Sequence, residues 1–377
     1  MKTKFIVMAA MAAMFSMGFT ACSNNDEDLA GKEATAQARG IGFDVHADNS
    51  HATRGYATTA ANAATQITNF QVWGFDAEED ALYMGTSLTV GRNATGSATS
   101  WSYEPVQFWP VNPLSFVAFT PNDYTAISGN AASCTDGVAA VASTVSIPAA
   151  VASQKDLMYA AKHETTGSDH PVSGDAGNVP LVFKHALSQI VFKGKLSADQ
   201  AITKATVAEI SLVNVASDGV INFNSTADGT FAAVSSLGTQ NVTYTLLTAN
   251  LTKSVFDYSV DGATAADITK SDDGTNENAF MLLPQQLVTG GTLVKPGSAA
   301  PSDGKSYLKI RAQLEKGDVT ILENTDAIYI PINTLWEQGK KYTYTIEFNG
   351  TKALTPITFT VTAEDWDEVD VTPALEM

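Results

Sequence analysis

Residues 179–196, read as VPLVFKHALSQIVFKGKL, limit the fold more than any other stretch of this chain. Leu181 and Phe183 fall on one side of a two-residue repeat, with Val182 and Lys184 on the other. The repeat returns in Ile190 and Phe192 against Val191 and Lys193. A period of two is the signature of a half-buried strand, and no helix can use it. Between the two halves, His185, Ala186, Leu187 and Ser188 break the alternation, which reads as a bulge or bend.

Similar short alternations recur along the chain. Ile41, Phe43 and Val45 share one face of a first strand, and residues 67–75, 114–119 and 205–215 read as core strands. Residues 106–109 read as a strand paired with 101–103, and 138–147 as a single strand within a loop-rich 121–154. Tyr342, Tyr344, Ile346 and Phe348, then Ile357, Phe359 and Val361, alternate with polar residues across Asn349-Gly350, a hairpin pattern. The expected class is all-β. With 377 residues there is length for two β-sandwich domains, 41–200 and 201–377, divided where the alternation lapses near residues 197–203.

The first 40 residues read differently. Lys2 and Lys4 precede an apolar run over 5–19, so residues 1–21 form a signal peptide, too short for a structural membrane span. Phe19-Thr20-Ala21-Cys22 fits a lipobox, in which Cys22 becomes an acylated N-terminus; an ordinary signal peptide cut near Ala21 is the alternative. Residues 22–40 then form a lipidated acidic linker, and multiple acyl chains would hold the protein at an outer membrane. The other cysteine, Cys134, has no partner in the chain if Cys22 is acylated and reads as a half-buried loop residue. With 40 acidic against 22 basic residues the net charge is −18, which argues against nucleic acid and anionic membrane as partners.

Chemistry-bearing patterns are sparse. There is no nucleophile elbow, zinc helix, phosphate loop or dinucleotide fingerprint, so no catalytic residue, metal ligand or cofactor is assigned and no enzyme is expected. His46, His51, His163, His170 and His185 lack ligand-like spacing; His185 reads as a hydrogen-bonded core histidine. The acidic run 271–277 fails calcium-loop spacing and reads as a turn. One position stands out: Arg54, followed by Gly55 in a polar stretch, is either a site for trypsin-like cleavage or an exposed loop residue.

Three motifs in order carry a resemblance. Trp109-Pro110 leads into Phe116-Val117-Ala118-Phe119; Gln154-Lys155-Asp156-Leu157-Met158-Tyr159-Ala160 follows, and then Phe183-Lys184-His185-Ala186-Leu187. Together they resemble the fimbrillin-like family of surface lipoproteins from gram-negative anaerobes, which includes subunits of type V pili. Leu283-Pro284-Gln285 and the segment from Trp336 to Tyr342 are similar to the family's C-terminal half. The resemblance implies transthyretin-like sandwiches, export to the cell surface aided by the acidic run 23–28, and a structural or adhesive role in a fimbria. It implies, too, that cutting after Arg54 removes the strand of Ile41, Phe43 and Val45, opening a groove for another subunit's strand; Arg39, which precedes that strand, is a poorer candidate. Partners would be other fimbrial subunits, the outer membrane through acylated Cys22, and a host or bacterial surface ligand. Donation of the C-terminal tail is disfavoured by Pro373, which removes a backbone donor. The rival reading is a non-polymerising surface lipoprotein that keeps its first strand and binds glycan or host ligand directly. A glycan-processing enzyme comes a distant third, for want of a carboxylate pair.

Overall fold

The computed structural model describes residues 40–47, 67–97, 100–122, 127–169, 178–226, 231–238, 241–269, 279–349 and 357–365. Among these the architecture is all-β. The first sheet runs in the order β1 (Gly42–Ala47), β10 (Asn178–His185), β9 (Met158–Thr165), β6 (Leu114–Thr120), β2 (Asn69–Asp76), β4 (Arg92–Ser97), β5 (Ser100–Ser102). A further short strand, β3 (Ala81–Met84), lies beside β2. The sheet curls until its two ends, β1 and β5, approach one another.

Two strands at its centre are buried on both faces, and their sequences explain why. NFQVWGFD and LSFVAFT carry apolar residues at odd and even positions alike. Phe70, Val72, Phe116 and Ala118 face the inside of the curl, together with Val179, Leu181 and Phe183. Trp73, Phe75, Val117 and Phe119 face outward and meet a second sheet. That sheet is β14 (Phe231–Leu237), β13 (Asp218–Asn224), β8 (Val138–Ser146), β7 (Ile127–Thr135). Phe223 of β13 seals the contact, with ring centroids 6.0 Å from Phe119 and 5.5 Å from Tyr159.

The remaining strands make a second sandwich. One sheet is β17 (Ala266–Asp267), β11 (Ser188–Leu196), β24 (Lys340–Phe348), β25 (Ile357–Asp365), with β18 (Phe280–Leu282) also on β11. The other is β15 (Val242–Leu247), β12 (Lys204–Val215), β20 (Tyr307–Lys316), β21 (Val319–Leu322), with β16 (Val255–Asp257) and β22 (Ala327–Pro331) filling the ends. Ile190, Phe192, Tyr344 and Phe348 from the first sheet pack with Ile210, Leu212, Leu308 and Ile310 from the second. β24 and β25 form the expected hairpin, in register from Lys340↔Asp365 to Phe348↔Ile357.

Pairing crosses residue 200 in both directions. β11, before it, runs parallel to β24 from Gln189↔Lys341 to Leu196↔Phe348. β13, after it, runs antiparallel to β8 from Asp218↔Ser146 to Asn224↔Ala140. A single apolar cluster accordingly joins the outward face of the first sheet to the second sandwich.

Of the two readings of the break at His185–Ser188, bulge or bend, the bend holds: β10 ends at His185, and β11 starts at Ser188 in another sheet. Two expectations need correction. Residues 106–109 form no strand beyond an isolated bridge at Phe108: Pro105 and Pro110 bracket the segment, and neither can donate to a ladder that would extend it. The region 121–154 holds two strands, since β7 pairs with β8 although ISGNAASCT lacks a row of large apolar residues.

The two-residue crossing from β10 to β11 is heavily bonded. His185 Nδ1 lies 3.0 Å from Asp156 Oδ1, both groups buried. Ala186 N donates to Leu157 O at 2.8 Å, and Gly339 N to Leu187 O at 2.9 Å. Gln338 Nε2 donates to His185 O at 3.0 Å, and Ser188 Oγ to Glu337 O at 2.7 Å. The side chain of Gln154 accepts from Met281 N at 2.7 Å. The motifs around Gln154, Asp156, His185 and Trp336 thus meet at one seam. Asp156→Ala is expected to lower stability by about 2–3 kcal/mol, read from the denaturant midpoint, because a buried histidine loses its carboxylate partner. Lys184→Ala, one residue from the seam on the outer face, should leave the midpoint nearly unchanged.

On the outer face of the second sandwich, Glu209 of β12 accepts from Lys309 Nζ and lies 3.2 Å from Arg311 Nε. Burial pushes its carboxyl up, but hydrogen bonds from Lys309 and Ser211 and the two positive charges outweigh it, leaving the group below its ordinary 4.5. A lowered carboxyl stabilises the fold above that ordinary value and loses the contribution as pH falls through the folded value. Glu209→Gln should therefore flatten the loss of thermal stability below about pH 4.5, measured by melting across an acid series.

Candidate assembly site: the first strand and its slot

β1 is short but central to the curl of the first sheet. It runs parallel to β10, in register from Gly42↔Asn178 to Ala47↔Phe183. On its other side Ile41 N donates to Gln107 O at 2.8 Å, and Gly40 bridges to Phe108. The strand therefore lies in a slot between β10 and the irregular segment that carries Gln107. A Cβ at Gly42 would sit 1.9 Å from Asn178 Oδ1, so a larger residue there would have to push the Asn178 side chain aside.

The three alternating residues fill the slot. Ile41, Phe43 and Val45 are 2%, 1% and 6% exposed. The Phe43 ring meets Phe70 edge-on at 5.4 Å, Phe116 edge-on at 6.1 Å and Tyr103 at 5.8 Å. Burying three such side chains is worth roughly 5–9 kcal/mol gross, before the ordering of the strand is subtracted. Tyr103 adds a polar lock, its hydroxyl donating to Ile41 O at 2.7 Å. Burial pushes that hydroxyl up to about 12, so it remains a donor at any physiological pH.

The slot depends on β1 in turn. Among the described residues, 178–183 of β10 form their ladder with β1 alone, and only Lys184 and His185 reach β9. Without β1, the edge of β10 and an aromatic trough would both face water, a costly state until another strand pairs there.

The other candidate residues are not gathered here. Cys22, Arg54 and Gly55 lie outside the described residues, as do His51, His170 and the acidic run 271–277. His163 Nδ1 lies 3.5 Å from Ser115 Oγ, whereas His185 Nδ1 lies 3.0 Å from Asp156 Oδ1. Cys134 is half-buried on β7, and its thiol is pushed up to about 12 by burial and by Asp80, so it stays protonated and inert. The slot residues that sequence reasoning missed are Tyr103, Gln107 and Asn178. The odd-even apolar pattern of β2 and β6 was the one available signal that something packs inside the curl.

One solved structure shares the fold, and two others are more distantly similar. A fimbrial protein from Bacteroides vulgatus is 19% identical and superposes with a TM-score of 0.57, over 87% of this chain and 99% of that one. A tip fimbrial protein from Porphyromonas gingivalis is 9% identical, with a TM-score of 0.36 over 83% and 97% of the two chains. A fimbrial anchor protein from the same organism is 8% identical, with a TM-score of 0.38 over 87% and 97%. No curated protein matches the sequence. A sequence model described as fimbrillin-like matches residues 53–366, beginning just past β1. The chain belongs to the fimbrillin-like family.

Proposed function

We propose that this protein is a structural or adhesive subunit of a surface fimbria, exported as a lipoprotein on Cys22 and assembled by strand exchange. Two β-sandwich units after a signal peptide are the working organisation, with strand pairs shared across residue 200. The observation that carries the reading is the slot. A six-residue strand at the N-terminal end fills an aromatic trough and is the ladder partner of 178–183. Seven residues past its end comes Arg54-Gly55. Cleavage there would cut the covalent link to the rest of the fold and leave β1 held by its contacts alone. Another subunit's strand can then replace it at little net cost, because each hydrogen bond and each buried side chain is exchanged for a similar one.

Membership of the family and the fold shared with the Bacteroides vulgatus fimbrial protein support a fimbrial role. The lipobox around Cys22 supports an outer-membrane anchor at the cell surface. The partners are other fimbrial subunits and a host or bacterial surface ligand.

The N-terminal identity and mass of the protein on its native surface test this directly. A chain starting at Gly55 is expected after maturation; a chain starting at acylated Cys22, with nothing shorter, sinks Arg54 as the processing site. Arg54→Ala should retain the full-length form and abolish the SDS-resistant ladders that protease treatment otherwise yields. Phe43→Ala should weaken β1 in its slot by about 3–5 kcal/mol and speed its displacement after cleavage, followed by mass spectrometry of the released peptide.

A further inference from the structure

The segment that walls the slot opposite β10 has a second face. Val106, Phe108 and Val111 are 45%, 50% and 77% exposed. Exposed apolar residues on a loose loop would mean little, but this segment is fastened at several points. Arg92 Nη1 donates to Glu104 O at 2.8 Å, Tyr83 OH donates to Phe108 O, and Asn112 Nδ2 donates to Asp76 Oδ2 at 3.0 Å. Trp109, buried between the exposed residues, packs edge-on against Phe116 at 6.2 Å. The segment is anchored by its tryptophan and holds its neighbours outward in fixed positions, so ordering it on binding costs little.

We propose that this collar is where the body of a second copy of the chain docks when its strand occupies the slot. The inference rests on the exchange reading above and adds a contact outside the slot. Gly40 bridges Phe108 and Ile41 bonds Gln107, so the collar is continuous with the surface from which β1 would be displaced. A strand reaching the slot from another subunit spans about 3.3 Å per residue, which brings its parent body against the mouth. Charge selects the same place. Copies carrying −18 repel wherever acidic faces meet, whereas Glu104 is the sole ionisable residue in 104–113. A membrane surface is the weaker occupant, because the same charge keeps the body away from anionic lipid.

The test uses full-length protein cleaved by trypsin, with ladder formation followed over time. Phe108→p-benzoylphenylalanine is expected to cross-link to a second copy on irradiation. Val106→Ser, Phe108→Ser and Val111→Ser combined should slow ladder formation about tenfold or more, as loss of a central aromatic anchor does, without moving the melting midpoint. If wild-type ladders form but the triple variant matches their rate, and position 108 captures lipid or nothing, the collar is overturned and strand exchange stands. Cross-linking between copies at 108 without any ladder shows a contact that does not accompany strand entry, and overturns both the collar as stated and exchange. Absence of both overturns both.

Discussion

Everything in this fold hangs on one run of chain that makes two parallel ladders. Residues 178–183 pair with β1 in the first sheet; Ala186 and Leu187 cross over; residues 189–196 then pair with β24 in the third. Parallel partners cannot be joined by a tight turn, so each ladder ties together segments far apart in sequence. β1 is about 135 residues upstream of its partner, and β24 about 150 downstream of its own. The crossing is where these long-range ties meet, and its backbone groups are bonded from both halves. Each motif that carries the family resemblance contributes to this seam or to the strands beside it, which gives those residues an architectural reason to be there.

The strands were legible because alternation reports which side chains share a face. It does not report which strand lies alongside. From Leu181, Phe183, Ile190 and Phe192 alone, a continuous strand with a bulge and two strands in separate sheets look the same. The difference lies in Asp156 and Gln338, which are remote in sequence and bond the crossing. β7 was missed for a related reason: its partner β8 supplies the apolar row, and β7 mostly presents small or polar residues to solvent. The segment 106–109 misled in the opposite direction. Its apolar residues suggested a strand, but Pro105 and Pro110 bracket it so that no ladder can extend past either end, and only Trp109 enters the core. At the candidate site, Ile41, Phe43 and Val45 were readable as a face, whereas Gln107 and Asn178 act through backbone pairing and Tyr103 through one hydroxyl bond and ring contact, none of which leaves a periodic trace.

Polar groups in the interior are spent on the framework. Gln285 holds both the N–H and the carbonyl of Ala216, at 2.9 and 3.2 Å. The Tyr344 hydroxyl accepts from Trp336 Nε1 at 3.1 Å and donates to Thr334 Oγ1 at 3.0 Å, and burial pushes it up to about 12. Tyr103 plays the same part beside β1. These hydroxyls fix strands and turns in place as permanent donors.

The slot and the seam are mechanically linked through β10. With β1 in place, β10 is paired along its whole length; with β1 gone, its hydrogen bonds to the sheet are those of Lys184 and His185 to β9. Those two residues adjoin the crossing, where Asp156 holds the His185 ring and Gln338 holds its carbonyl. An empty slot therefore keeps its shape only if the seam clamps the far end of β10 like a cantilever, with Leu181 and Phe183 as the packing beneath it. If β1 is exchanged as proposed, the buried His–Asp pair at the end of β10 is what lets that strand survive the loss of its neighbour. The rigidity that the proposed exchange would need at one end of β10 would then come from contacts at the other, outside the slot.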